Sequence, residues 1–290
     1  MNRIKKNITV RFFSIETKGK LLDSFASAFA ANKLNDKSRI LNLKLKKHLI
    51  KISEEHSVAG ISAYAVTVVR ERNTWQTKAT SDGSITGLAL NQGIIGDPYF
   101  FFVVPSKKIL LGFTTGPSGS LISVGKTMLD QFNSDRLSEV KLDLITKEKD
   151  YGLLRDLPTY SKLHFKIQST SLADITDDAP QMMRNLSAAP YINNNMQLDL
   201  ELDLNDETRD AFPNEVILEL IEFLSDHDGC NFLKVQGVNK NGNAVKLDFG
   251  NAFVNFKTEI QTRDQFIDEN NATKLLKEAL VDYIESQLSV

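Results

Sequence analysis

One cysteine, Cys230, stands in a chain of 290 residues. A lone thiol excludes an intramolecular disulfide framework and a Cys-rich zinc site, and fits a reducing cytoplasm. No apolar run approaches the roughly 18 residues needed to cross a bilayer. The opening "MNRIKKNITVRFF" passes straight from charge into an alternating pattern, without the apolar core of a signal peptide. A soluble, cytoplasmic chain is the expectation. Histidine is scarce too, with four in all. His48 lies among lysines, His56 follows two glutamates and His164 alternates with Leu163 and Phe165. None has a partner at metal or triad spacing. His227, in "SDHDGC", falls at the end of a helical pattern and is expected to cap it. A Cys230/His227 nucleophilic pair would need geometry that a three-residue separation at a helix end rarely gives. Repeats and low-complexity tracts are also missing, which excludes solenoids and disordered arrays. No cofactor and no small-molecule substrate are expected.

What is present is ordinary in amount, with 41% hydrophobic and 25% charged residues, but uneven in place. The net charge of −2 conceals a split. Residues 1–157 carry 24 Lys/Arg against 15 Asp/Glu, whereas residues 158–290 carry 11 against 22. A basic half that faces a polyanion would produce this split; so would two halves that face each other within a monomer or across an oligomer.

Periodicity divides the chain into alternating strands and amphipathic helices. "ITVRFFSIE" reads as a strand, and "LLDSFASAFAANK" as a helix through Leu21, Leu22, Phe25, Ala28 and Phe29. In "RILNLKLKKHLIKIS" the apolar face of Leu41, Leu43 and Leu45 reaches Ile50 and Ile52 only across an inserted residue. A β-bulge or turn is therefore expected near Lys47. "ISAYAVTVVRER" and "NTWQTKATS" look like hairpin arms, with Asp82-Gly83 and Gly87 in the loop that follows.

The most apolar segment is "DPYFFFVVPSKKILLGFTT", a hairpin about Pro105-Ser106-Lys107 whose continuous apolar arm suits a strand covered on both faces. "SLISVGKTMLDQF" follows as a helix with Leu121, Val124, Met128, Leu129 and Phe132 on one stripe. After the strand "EVKLDLIT", the charged "KEKDYGLLRDLPTY" marks a boundary near Leu157-Pro158.

Beyond it lie a strand in "SKLHFKIQS", a helix in "DDAPQMMRNLSAA" and a strand in "MQLDLELDL". Then come a helix in "PNEVILELIEFLSDHDG" capped by Gly229, a hairpin turning at Asn241-Gly242 and a final helix in "NATKLLKEALVDYIESQL". The fold class is α+β. Two mixed domains are expected, with antiparallel sheets flanked by helices: a basic one over 1–157 and an acidic one over 158–290 ending in a long helix.

Three motifs bear on chemistry. Gly125-Lys126-Thr127 resembles the end of a phosphate-cradling loop, but its upstream glycine, Gly119, is six positions away where five are required, and Ser120 fills the required place. Lys126 is left as a solvated or phosphate-contacting helix residue. Asp199, Glu201 and Asp203 share one strand face and could hold a divalent metal for nuclease work, although a solvated sheet face gives the same pattern. A lysine two residues beyond the glutamate, typical of one large nuclease class, is replaced by Asp203.

Basic residues gather on predicted strands or their ends: Arg3, Lys5, Lys6 and Arg11, then Lys44, Lys46, Lys47 and Lys51, then Arg70 and Arg72. Lys107 and Lys108 occupy the turn of the apolar hairpin. Lysines along a sheet face can track a phosphate backbone without reading bases. Such lysines also protect a solvated sheet edge from aggregation.

The passage "GDPYFFFVVPSKKILLGFTTGPSGSLISVGKTMLDQF", Gly96 to Phe132, resembles the middle of the RexA family of phage-exclusion DNA-binding proteins. There too an apolar strand, a proline-containing turn and a second strand lead through a Gly-Pro step, here Gly116-Pro117, into a helix. The resemblance implies an architecture similar to the RdgC class of ring-forming DNA-binding proteins. It implies a cytoplasmic homodimer of prophage origin that binds double-stranded DNA without sequence preference. It further implies abortive infection as an antiviral defence, through a membrane-protein effector. It transfers no catalytic residue, so a non-enzyme is expected. The alternatives are a metal-dependent nuclease of a defence system, centred on Asp199, Glu201 and Asp203, and a scaffold whose acidic half binds a basic partner.

Overall fold

The computed structural model describes residues 4–31, 40–43, 46–71, 77–79, 84–87, 94–116, 120–135, 138–147, 154, 157–169, 172, 179–189, 192, 196–204, 213–227, 230–248, 253–262 and 267–288. Its centre is the hairpin of β7 (Gly96–Val104) and β8 (Ile109–Thr114), joined by a 3-10 turn at Pro105–Lys107. On one side β7 pairs with β4 (Ile61–Glu71), then β3 (Lys46–Val58) and β2 (Ile40–Leu43). On the other, β8 pairs with β1 (Ile4–Thr17). The far edge of β1 is shared. Its first part pairs with β14 (Asn255–Thr262) and its last part with β9 (Val140–Leu144). Every pairing in this sheet is antiparallel.

Both faces of the sheet are covered, which is why the arm Tyr99–Val104 has no polar alternation. Phe13, Tyr99, Phe101, Val103 and Leu110 pack beneath α1 (Phe25–Ala31) and α2 (Leu121–Asp130). Phe12, Phe100, Phe102, Leu111 and Phe113 pack beneath α5 (Glu269–Leu288). The anticipated α2 stripe of Leu121, Val124, Met128, Leu129 and Phe132 is buried throughout.

A second antiparallel sheet has the order β11 (Gln197–Asp203), β10 (Thr159–Gln168), β12 (Cys230–Val238), β13 (Ala244–Asp248). One face packs on α3 (Gln181–Ser187) and α4 (Asn214–Asp226) through Leu163, Phe165, Ile167, Met183, Ile221 and Val235. The other face carries charged side chains.

Several expectations change in detail. The segment "ISAYAVTVVRER" does not form a hairpin with "NTWQTKATS": β4 has β3 and β7 on its two edges, and β5 (Thr77–Ala79) pairs with β6 (Ile85–Gly87) as a separate ribbon. The irregularity near Lys47 resolves into two features. The chain reverses between Leu43 and Lys46, and the register of β3 against β4 shifts between Ile52 and Glu55. Strand β14 is an addition, and it changes the organisation. The second sheet is built from strands between Thr159 and Asp248, and β14 and α5 return to complete the first one.

The acidic unit thus comprises residues 158–248, with 7 Lys/Arg against 15 Asp/Glu. Its helix α4 ends at His227, whose N–H bonds to the Leu224 carbonyl, while Gly229 lies outside the described residues. The β12–β13 turn follows the sequence closely. The Asn239 side chain accepts the N–H groups of Asn241 and Asn243, both at 3.0 Å, and Gly242 takes a left-handed φ of 77°. Gly242→Ala should therefore lower unfolding free energy by about 1 kcal/mol in urea titration, with Gly242→Asn milder.

Candidate nucleic-acid interface

At one end of the first sheet β1 finishes at Thr17, beside the turn between β7 and β8: the Ile15 N–H donates to the Lys108 carbonyl at 2.8 Å. The turn is tight. Pro105 starts it, the Lys108 N–H bonds back to the Pro105 carbonyl at 3.0 Å, and Lys108 closes it at a φ of 55°. Lys107 and Lys108 project into solvent, and Lys18 and Lys20 are exposed just beyond β1. Among the described residues none of the four lysines is held in an ion pair. Glu16, also exposed, moderates the field, as does Asp135, whose carboxylate lies close to Gly19. Lys126 and Lys141 are engaged by Glu139 at 2.9 Å and Asp143 at 3.0 Å.

The other basic candidates do not join this rim. Arg3, Lys44, Arg72 and the Lys46 side chain lie outside the described residues. Lys5 pairs with Glu259 at 2.9 Å, Lys51 with Glu269 at 2.6 Å and Lys47 with Glu71 at 3.8 Å, while Lys6 donates to the Thr115 carbonyl. Such surface pairs add little stability, but they cancel charge that a phosphate backbone would otherwise meet. Arg11 and Arg70 require a correction. They were expected on a solvated face but are only 9% and 8% exposed, because the acidic unit packs over that end of the sheet. Lys18 and Lys20, absent from the sequence reading, had a usable signal: Gly19 between them marks the end of the strand pattern.

Two of the three carboxylates on β11, Asp199 and Glu201, are held in ion pairs. Asp199 meets His164 at 2.6 Å and Lys166 at 2.7 Å, and Glu201 meets Lys162 at 2.6 Å. These cross-strand cations, Lys166 then His164 for Asp199 and Lys162 for Glu201, hold both carboxyl groups below their ordinary range. Among the described residues no His, Cys, Asp and Glu cluster is arranged for a metal. The arrangement is that of a solvated, charge-paired sheet face.

The Gly-Lys-Thr segment is likewise structural. Ser120 caps α2 by accepting the Ser123 N–H at 3.2 Å, so the helix is running four residues before Gly125. Gly125 is buried, and a Cβ there would lie 2.7 Å from Leu110 Cδ2. Its lack of a side chain serves packing, not phosphate binding.

His227 stands at the end of α4, where its backbone N–H meets the Leu224 carbonyl, and lies inside the junction between the units at 2% exposure. Burial, then the charges of Arg11 and Arg70, lower its pKa to about 4, and its Nδ1 has no partner. Cys230 is pushed up to about 11, chiefly by burial, and its Sγ faces the Phe232 carbonyl at 3.4 Å. With His227 lacking any Nδ1 partner and the thiol directed to a carbonyl, the pair has no nucleophile–base hydrogen bond there. No helix among the described residues is long and apolar enough to cross a membrane. The chain matches no protein-family model, and no curated protein is significantly similar to it.

Proposed function

We propose that the protein is a non-enzymatic, sequence-nonspecific double-stranded DNA-binding protein, with Lys18, Lys20, Lys107 and Lys108 resting on the phosphate backbone. The observation that carries this reading is four exposed lysines, held in no ion pair among the described residues, at one end of the first sheet. Lysine ammonium groups bind phosphates as point charges and read no base edges, so the binding is indifferent to sequence.

Lys107 and Lys108 fall within the passage that resembles the RexA family, and that resemblance supports the biological setting. In this setting the protein works as a homodimer in phage exclusion, and engagement of phage DNA activates a membrane-protein effector. Two rims on a dimer would double the phosphate contacts made by one.

Fluorescence anisotropy with two unrelated duplexes of equal length at about 50 mM salt tests the reading. Equal affinities for the two are expected. No binding to either, or binding to only one, would overturn it.

A further inference from the structure

At the opposite end of the first sheet from the lysine rim, a cleft of about 870 Å³ opens between the two units. Its walls differ in kind. One is the polar end of the sheet, with Thr9 and Arg11 from β1, Thr114 from β8 and Lys257 from β14. The other is largely apolar and aromatic, formed by Leu224, Phe232, Leu233 and Phe253. Ser225 stands at the edge of that wall, its Oγ shielded from solvent and without a hydrogen-bond partner. Behind the floor, the buried Arg70 Nη1 and His227 Nδ1 are also unpartnered.

We propose that this cleft is a binding site for a nucleoside phosphate. The volume lies within the roughly 300–1,000 Å³ of small-molecule sites and far exceeds what a bare phosphate fills. The Arg11 guanidinium supplies several donors, and the Lys257 ammonium stands on the same wall. Burial first, then Arg11 and Arg70, lower the basicity of His227, so both guanidinium groups lie near this wall, with the buried Asp97 opposite Arg70. Thr9 and Ser225 offer hydroxyl partners, the Thr114 hydroxyl being taken by the Pro98 carbonyl and the Gly116 N–H, and Phe253 suits the flat, weakly polar body of a base, whereas the Phe232 ring already meets His164 and Lys234. Two carboxylates also line the cleft. Glu259 is engaged by Lys5 at 2.9 Å, and Asp248 borders the cleft at the end of β13.

Titration calorimetry of the full-length protein with ADP, adenosine and orthophosphate, without divalent metal, tests the proposal. ADP is expected to bind more tightly than either fragment. Lys257→Gln, an exposed position, should weaken ADP roughly tenfold through loss of a charge-assisted contact. Lys107→Gln, at the far end of the sheet, should leave ADP binding unchanged. Absence of ADP binding at millimolar concentration would overturn the proposal, as would orthophosphate binding equal to ADP or unaltered affinity in Lys257→Gln. Thr9→Val provides a second variant at the same wall and should also weaken ADP. None of these outcomes depends on duplex binding at the lysine rim.

Discussion

Gly112→Ala is expected to lower the unfolding free energy by about 3 kcal/mol, at the upper end of overpacking costs, although alanine suits a strand better than glycine. Gly112 lies in β8 between Arg11 of β1 and Phe101 of β7. A Cβ there would stand 2.5 Å from Phe101 Cδ1 and 2.7 Å from the Phe100 carbonyl oxygen. Neither can retreat. Phe101 is fully buried beneath α2, and the Phe100 carbonyl belongs to a strand paired on both edges. The absent side chain is what lets an aromatic ring lie over the centre of the sheet.

Urea denaturation of wild type, Gly112→Ala, Phe101→Leu and the double variant measures the effect and its cause. In the Phe101→Leu background the cost of Gly112→Ala should shrink by at least about 1 kcal/mol, because one of the two clashes is relieved. A cost below about 1 kcal/mol in the wild-type background would contradict the packing described.

The second large effect is a loss of stability in mild acid that depends on His227. Its pKa is about 4 in the fold and near the ordinary 6.5 once unfolded. Between those values the unfolded chain holds more protons, so stability rises with pH across the window. The contribution is complete above about pH 6.5 and is lost as the pH falls toward 4, for a total of about 3 kcal/mol. The cause is physical: a charged imidazole would be buried beside two guanidinium groups.

His56, also lowered by burial and by Lys277, acts in the same direction. The lowered carboxyls of Asp199 and Glu201 lose their contribution only at lower pH. Urea midpoints at pH 7, 5.5 and 4.5 for wild type and His227→Gln separate these terms. The wild type should fall steeply and the variant less so. Parallel curves would place the acid sensitivity elsewhere.

What could be read from the residues followed how local the determinant was. The hairpin from Tyr99 to Phe113 and the stripe of α2 were legible because each is fixed by a short run of apolar side chains with a turn or cap at its end. Strand β14 was not, because its apolar alternation through Val254, Phe256 and Ile260 is interrupted by Thr258. The partners of β4 were not legible either. The choice between β5 and β7 is made by the burial of Val66, Val68, Phe100 and Phe101 in one sheet, a long-range term.

The same limit applies to the charged residues. Alternation places Arg11 and Arg70 on a polar face, and nothing near them shows that a second unit covers it. The acidic ladder of β11 reads as a metal site until β10 brings Lys162, His164 and Lys166 opposite. Lys107 and Lys108 were found from the turn alone, whereas Lys18 and Lys20 required knowing where β1 ends.

The central claim is that a rim of four lysines binds duplex DNA through its phosphates. The most direct test is the salt dependence of that affinity, followed by anisotropy from about 50 to 200 mM. Four phosphate contacts predict a slope of log K against log salt near −3.5 for each protomer engaged, twice that for a dimer bound through both rims, and smaller in magnitude by about two per protomer in Lys107→Gln/Lys108→Gln. A slope near zero, or one unchanged in that variant, would contradict the claim.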